Sequence, residues 1–219
     1  MRRKVAVLIS GRGSNMASLI AAARDPAYPA DIALVVSNVP GAAGLDRAAA
    51  AGIATATVDH KPFGRDREAF ERALDALLVG AGIEVVCLAG FLRLLTPWFV
   101  ERWHDRLLNI HPALLPAFKG LDTHRRALEE GCRIHGATVH YVRSETDAGP
   151  IIVQGAVPVL DGDTPDTLAA RVLAVEHRIY PEALALVASG RTKVDGMRVL
   201  IGDNGPADAA ERRLIAPDI

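Results

Sequence analysis

The sequence predicts an α/β fold: a Rossmann-like open sheet, mostly parallel, with helices on both faces and an antiparallel C-terminal portion. Three observations carry this expectation. Short continuous apolar runs at residues 5–9, 32–36 and 84–89 read as strands buried on both faces. Amphipathic segments lie between them, which gives the strand–helix alternation of right-handed parallel crossovers. Beyond residue 130 the texture changes to two longer strand-like segments around a Gly-Pro turn, the pattern of an antiparallel pair.

The elements follow in order. Residues 5–9 run into Gly11-Arg12-Gly13-Ser14-Asn15, and Met16, Leu19, Ile20 and Ala23 then recur at helical spacing until Asp25-Pro26. Residues 32–36 form the second strand, and 41–51 an Ala-rich helix ended by Gly52. Residues 55–58 make a short third strand. Phe70, Leu74, Leu77 and Leu78 mark one face of a helix over 66–79. Residues 84–89 are the fourth strand and 107–110 a short fifth. A helix over 123–130 closes at Gly131. Residues 137–143 and 151–160 are the antiparallel pair. Asp163-Thr164-Pro165-Asp166 starts a last helix whose stripe is Leu168, Val172, Val175 and Ile179, and Pro181 should kink or break it.

The 219 residues read as a single domain over 1–190 and a tail over 191–219. Within the domain, about 1–105 would bind phosphate and about 106–190 would carry the chemistry. The tail reads as a hairpin around Asp195-Gly196, then a loose end.

Composition narrows the function classes. Half the residues are apolar and 23% are charged, so a large core forms and disorder does not. The net charge of -1, without a dense Lys/Arg run, argues against nucleic acid as a partner. No apolar run reaches membrane-spanning length. Met1-Arg2-Arg3-Lys4 is basic, but the apolar run after it is too short for a signal sequence. Cys87 and Cys132 lie far apart with no CxxC pair, which fits a reducing, cytoplasmic location.

The most informative stretch is Leu108-Asn109-Ile110-His111-Pro112-Ala113-Leu114-Leu115-Pro116. On an extended chain Asn109 and His111, two apart, leave by the same face. An amide donor and an imidazolium donor can then meet one carbonyl oxygen or oxyanion, a design for acyl chemistry. The alternative is a satisfied structural histidine. Asp147 lies in the loop ending Ala148-Gly149-Pro150. It is either the carboxylate that stabilises the charged imidazole and raises its pKa, or an Asx-turn residue.

Gly11-Arg12-Gly13-Ser14-Asn15 joins a buried strand to a helix. It is either an anion site at a helix N-terminus or a tight turn capped by Ser14 or Asn15. It is neither a Walker loop nor a full dinucleotide fingerprint. Residues 88–95, Leu-Ala-Gly-Phe-Leu-Arg-Leu-Leu, leave the fourth strand where open α/β sheets bind ligands; a flat heterocycle and ordinary packing are both compatible with it. The seven histidines carry no HExxH and no Cys/His cluster, so no metal is expected. No GxSxG elbow is present, which disfavours a serine hydrolase.

Taken together these motifs resemble the folate-dependent phosphoribosylglycinamide formyltransferase family, over residues 5–190. The marks are Ile9-Ser10-Gly11-Arg12-Gly13-Ser14-Asn15, Leu88-Ala89-Gly90-Phe91-Leu92-Arg93, the stretch from Leu108 to Pro116, His140-Tyr141-Val142, Asp147-Ala148-Gly149-Pro150-Ile151 and Glu176-His177. The resemblance implies transfer of a formyl group from the co-substrate 10-formyltetrahydrofolate to the amine of glycinamide ribonucleotide, in purine (IMP) biosynthesis. It implies that Gly13, Ser14 and Asn15 hold the ribonucleotide phosphate, with Glu176 near the ribose. It implies folate contacts from Arg67, Leu92, Arg93, Leu94, Leu95 and Asn109. The 144–147 loop (Ser144, Glu145, Thr146 and Asp147) would wrap the pterin. Asn109, His111 and Asp147 would be the catalytic trio, and the chain a monomer or homodimer. Lys119, where relatives often have Pro, and Leu173, where some place a polar contact, depart from the pattern.

The chemistry is consistent with the residues. Amine attack on a formyl carbon creates a tetrahedral oxyanion, and each donor aimed at it contributes ~3 kcal/mol. Water or His111 can relay the amine proton to the departing folate nitrogen. Two rivals remain: a formyltetrahydrofolate deformylase, expected to carry a further N-terminal domain and to need no phosphate loop, and a non-catalytic folate or nucleotide sensor. Methionyl-tRNA formyltransferase would need an added basic domain.

Overall fold

The computed structural model describes residues 2–202. Five strands run parallel: β1 (Arg3–Ile9), β2 (Ala30–Ser37), β3 (Ala54–Thr57), β4 (Val85–Leu88) and β5 (Leu107–His111). β6 (Ile134–Tyr141) and β7 (Ile151–Pro158) continue the sheet antiparallel, in the order β3-β2-β1-β4-β5-β6-β7. The expected fold class is the one found. β1 is buried along Val5–Ile9 because both faces of the sheet are covered.

Alternate residues of β1 feed two cores. Val5, Val7 and Ile9 face α1 (Ser14–Ala23), α2 (Ala43–Ala50) and α6 (Pro165–Ala188). Ala6 and Leu8 face α3 (Arg67–Gly80) and α4 (Pro97–Arg102). α3 starts where Asp66 accepts from the Ala69 N–H at 2.9 Å. α5 (Thr123–Glu129) lies between β5 and β6 in the chain.

Three findings correct the sequence reading. α6 runs unbroken through Pro181, because its buried face (Tyr180, Ala183, Leu184) outweighs the lost backbone bond, a cost of about 3 kcal/mol. The Tyr28 hydroxyl also donates to the Pro181 carbonyl at 2.7 Å. α4 and a short 3-10 turn (Lys61–Phe63) were not anticipated. β6 begins at Ile134 and ends at Tyr141, earlier at both ends than expected.

β8 (Thr192–Asp195) and β9 (Arg198–Ile201) form the expected hairpin around Gly196, whose φ of 59° suits the turn. The loose end expected after it lies outside the described residues. Among the described residues, no helix is long and apolar enough to cross a membrane.

Candidate active site

β1, β4 and β5 are parallel, so the chain leaving β1 and the end of β5 emerge at one edge of the sheet. That edge carries both candidate ligand regions. Asn109 and His111 occupy alternate positions on β5, as the two-residue spacing requires. The antiparallel register places His140 opposite Asn109 and Thr138 opposite His111.

The loop between β6 and β7 brings Asp147 back to the imidazole. Its Oδ2 lies 3.4 Å from His111 Nδ1, and its Oδ1 lies 3.9 Å from His140 Nε2. Asp147 adopts φ 50°, in the left-handed region, and its Oδ2 accepts from the Gly120 N–H at 3.0 Å. Gly149 permits this return: a Cβ there would collide with the Tyr141 carbonyl. His111 is 5% exposed, and its Nε2 donates to the Phe118 carbonyl at 2.9 Å. Both ring nitrogens thus face acceptor oxygens.

Asn109 is oriented from behind. Its Nδ2 lies 3.3 Å from His140 Nε2, while His140 Nδ1 lies 2.9 Å from the Tyr141 carbonyl. A carbonyl only accepts, so Nδ1 carries the proton and Nε2 accepts from the amide. Burial lowers the His140 pKa, against the opposing pull of Tyr141 and Asp147, and keeps this ring neutral. The second Asn109 N–H is left for the cleft. Sequence reasoning assigned His140 no role; the β5–β6 register was the signal that could have found it.

A cleft opens beside this cluster. Its walls include Arg93, Leu94, Leu95, Asn109, Ser144, Thr146 and Asp147, all expected at a folate site. Phe91, within the 88–95 segment offered for a flat heterocycle, also lines it; Val142 and Arg143 line it and were not anticipated. Arg67, at the start of α3, does not line the cleft. Leu92 is 79% exposed and does not line it either. Glu145 instead pairs with Lys119 at 2.9 Å.

At the other region Gly13 holds the left-handed N-cap position of α1 (φ 68°) and no side chain caps the helix. The capping alternative for Ser14 and Asn15 is therefore not what forms, and the first backbone N–H groups remain for a ligand. The Gly44 N–H holds the Gly11 carbonyl at 3.0 Å. Asn15 Nδ2 donates to Glu176 Oε2 at 2.6 Å across 161 positions, and Asn15 Oδ1 is buried without a partner. Burial raises the Glu176 pKa; the Asn15 hydrogen bond opposes this. Leu173 is half-buried on α6, three residues before Glu176.

Behind the cluster His124 and His135 stack edge to face, with centroids 5.2 Å apart, and Phe118 packs on His135. Burial, then His124, push His135 down to about 4. Among the described residues no group of three or more His, Cys, Asp and Glu is arranged to hold a metal.

The sheet and its loop-built edge define a formyl transferase: residues 3–184 match the family described as formyl transferase. The chain is 47% identical over 190 residues to the phosphoribosylglycinamide formyltransferase of Escherichia coli (strain K12), covering 87% of this chain and 89% of that protein. A solved glycinamide ribonucleotide transformylase 1 from Symbiobacterium toebii superposes with a TM-score of 0.88 at 46% identity, over 91% of this chain and 94% of that one. The trifunctional purine biosynthetic protein adenosine-3 of Gallus gallus is 52% identical over 191 residues, which cover 87% of this chain. The chain spans only 19% of that trifunctional relative. The chain belongs to the phosphoribosylglycinamide formyltransferase family of enzymes.

Proposed function

We propose that the protein transfers the formyl group of 10-formyltetrahydrofolate to the amine of glycinamide ribonucleotide, in purine biosynthesis. The observation that carries this reading is the cluster of Asn109, His111 and Asp147 at the cleft, on the same sheet edge as the Gly13–Asn15 loop. An acceptor held by its phosphate at the loop meets a folate held in the cleft. No covalent acyl-enzyme is needed.

The amine nitrogen attacks the formyl carbon and the carbonyl electrons move to oxygen. The free Asn109 N–H and the His111 Nε2–H donate to that oxyanion, each worth ~3 kcal/mol. To do so His111 exchanges the Phe118 carbonyl for the substrate oxygen. Asp147 stays beside Nδ1 and holds the ring's orientation. Collapse breaks the bond to the folate nitrogen, which leaves with a proton relayed by His111 or water while the new amide nitrogen loses one. The Gly13, Ser14 and Asn15 N–H groups hold the phosphate, and Glu176 accepts from ribose hydroxyls after exchanging its Asn15 partner. Arg93, Leu94, Leu95, Ser144 and Thr146 wall the folate. Two free cysteines fit a cytoplasmic site of action.

The test is an assay of the purified protein with both substrates. Formylated ribonucleotide is expected, in amounts that track tetrahydrofolate released. Equal release of formate and tetrahydrofolate without ribonucleotide would identify a deformylase instead. Binding of either ligand without turnover would identify a sensor.

A further inference from the structure

The candidate phosphate loop and the candidate folate segment are separate stretches of chain, joined by one residue. Ser10 follows β1 and immediately precedes Gly11. Its N–H donates to the Gly90 carbonyl at 3.0 Å, and its Oγ accepts from the Leu92 N–H at 2.8 Å. The hydroxyl proton goes to Asn38 Oδ1 at 2.5 Å. Asn38 is only 3% exposed, and its carbonyl is held by His60 Nδ1 at 2.8 Å.

Every capacity needed is used. The hydroxyl donates once and accepts once, between a buried amide and a backbone N–H. Leu92 has almost no packing to fix it, so the hydrogen bond to Ser10 is what locates this part of the segment. The next residues, Arg93 to Leu95, form the cleft wall, and the Arg93 guanidinium lies 5.1 Å over the Phe70 ring. A serine that merely ended β1 would need only its backbone bond to Gly90. The side chain adds a second tie, and that tie reaches the other ligand's segment.

We propose that Ser10 is a positioning residue: it fixes the folate segment against the phosphate loop and so sets the spacing between the two reacting ligands. This rests on the reading of the cleft given above. Alanine removes the Leu92 and Asn38 bonds but keeps the backbone tie; threonine keeps the hydroxyl.

Steady-state kinetics on Ser10→Ala and Ser10→Thr test it. For Ser10→Ala the KM for 10-formyltetrahydrofolate is expected to rise roughly threefold to tenfold, the effect of one lost hydrogen bond. The KM for the ribonucleotide should stay within about twofold, since the loop backbone is untouched, and Ser10→Thr should restore the folate value. An unchanged folate KM, or a rise in both KM values that threonine does not rescue, overturns the proposal. Calorimetric titration with tetrahydrofolate gives a readout independent of turnover. Should the wild type prove inactive on the ribonucleotide, weaker tetrahydrofolate binding by Ser10→Ala alone still supports the role of Ser10, and equal binding by both still refutes it.

Discussion

The two candidate ligand regions share one sheet edge and are built by opposite means. The anion region is made by helices: Asn15 on α1 and Glu176 on α6 close on each other at 2.6 Å, deep between packed elements. The cluster at the cleft is made by strand register and loops, with side-chain spacings of 3.3, 3.4 and 3.9 Å. The first is a closed pair that must exchange partners when a ligand arrives. The second leaves one Asn109 N–H for the cavity, while its His111 Nε2–H is held by the Phe118 carbonyl. Both regions rest with a key donor satisfied internally, but one is closed by a second side chain and the other by a main-chain oxygen of a neighbouring loop.

That contrast breaks most easily at the imidazole. Removing it with His111→Ala is expected to lower turnover by roughly two to four orders of magnitude with the fold intact. Near-normal rates in a variant whose circular dichroism matches the wild type would take His111 out of the chemistry.

Glu176→Gln probes the closed pair. Burial holds the native carboxyl above the unfolded range, so it stays protonated until pH exceeds the folded pKa, while the unfolded carboxyl ionises at lower pH. The residue's contribution to stability is therefore greatest in acid and declines as pH rises through that window. Glutamine keeps the acceptor for Asn15 and removes the charge. We expect a KM for the ribonucleotide about tenfold or more higher, together with a higher Tm at pH 8 and no gain near pH 4. An unchanged KM would detach Glu176 from the ligand.

His135 tests whether the layer behind the cluster stays neutral. Its folded pKa of about 4 lies below the usual 6.5, so stability is full above pH 6.5 and is lost as pH falls toward 4. The loss amounts to about 3 kcal/mol in urea unfolding. In His135→Gln the slope over that range should flatten, and an equally steep slope would assign the acid sensitivity elsewhere. The smallest effect is expected at the mouth of the cleft. Lys119 and Glu145 are exposed, and such pairs contribute up to about 1 kcal/mol. Lys119→Ala should change turnover by less than about twofold; a tenfold loss would show that this exposed pair governs catalysis.

The same division decides what could be read from the chain. The buried strands and amphipathic helices announced themselves by period, and so did the shared face of Asn109 and His111, because alternation is a local property. α4 was illegible: its six residues, Pro-Trp-Phe-Val-Glu-Arg, are too few for a stripe. Pro181 misled, because tertiary burial overrode a local breaker. The role of His140 depends on the register of a partner strand, and that of Ser10 on a segment 82 positions away. Neither relation has a signature in one stretch of sequence.

One feature of the resting imidazole bears on inhibitor design. Its Nε2 proton is already taken by a main-chain oxygen seven residues along the same chain. A competitor's carbonyl therefore faces a rival tethered in place, whose effective concentration is far above that of a free solute. Compounds that also press the Phe118 segment aside gain on both counts, while those that only offer an acceptor are discounted by the displacement.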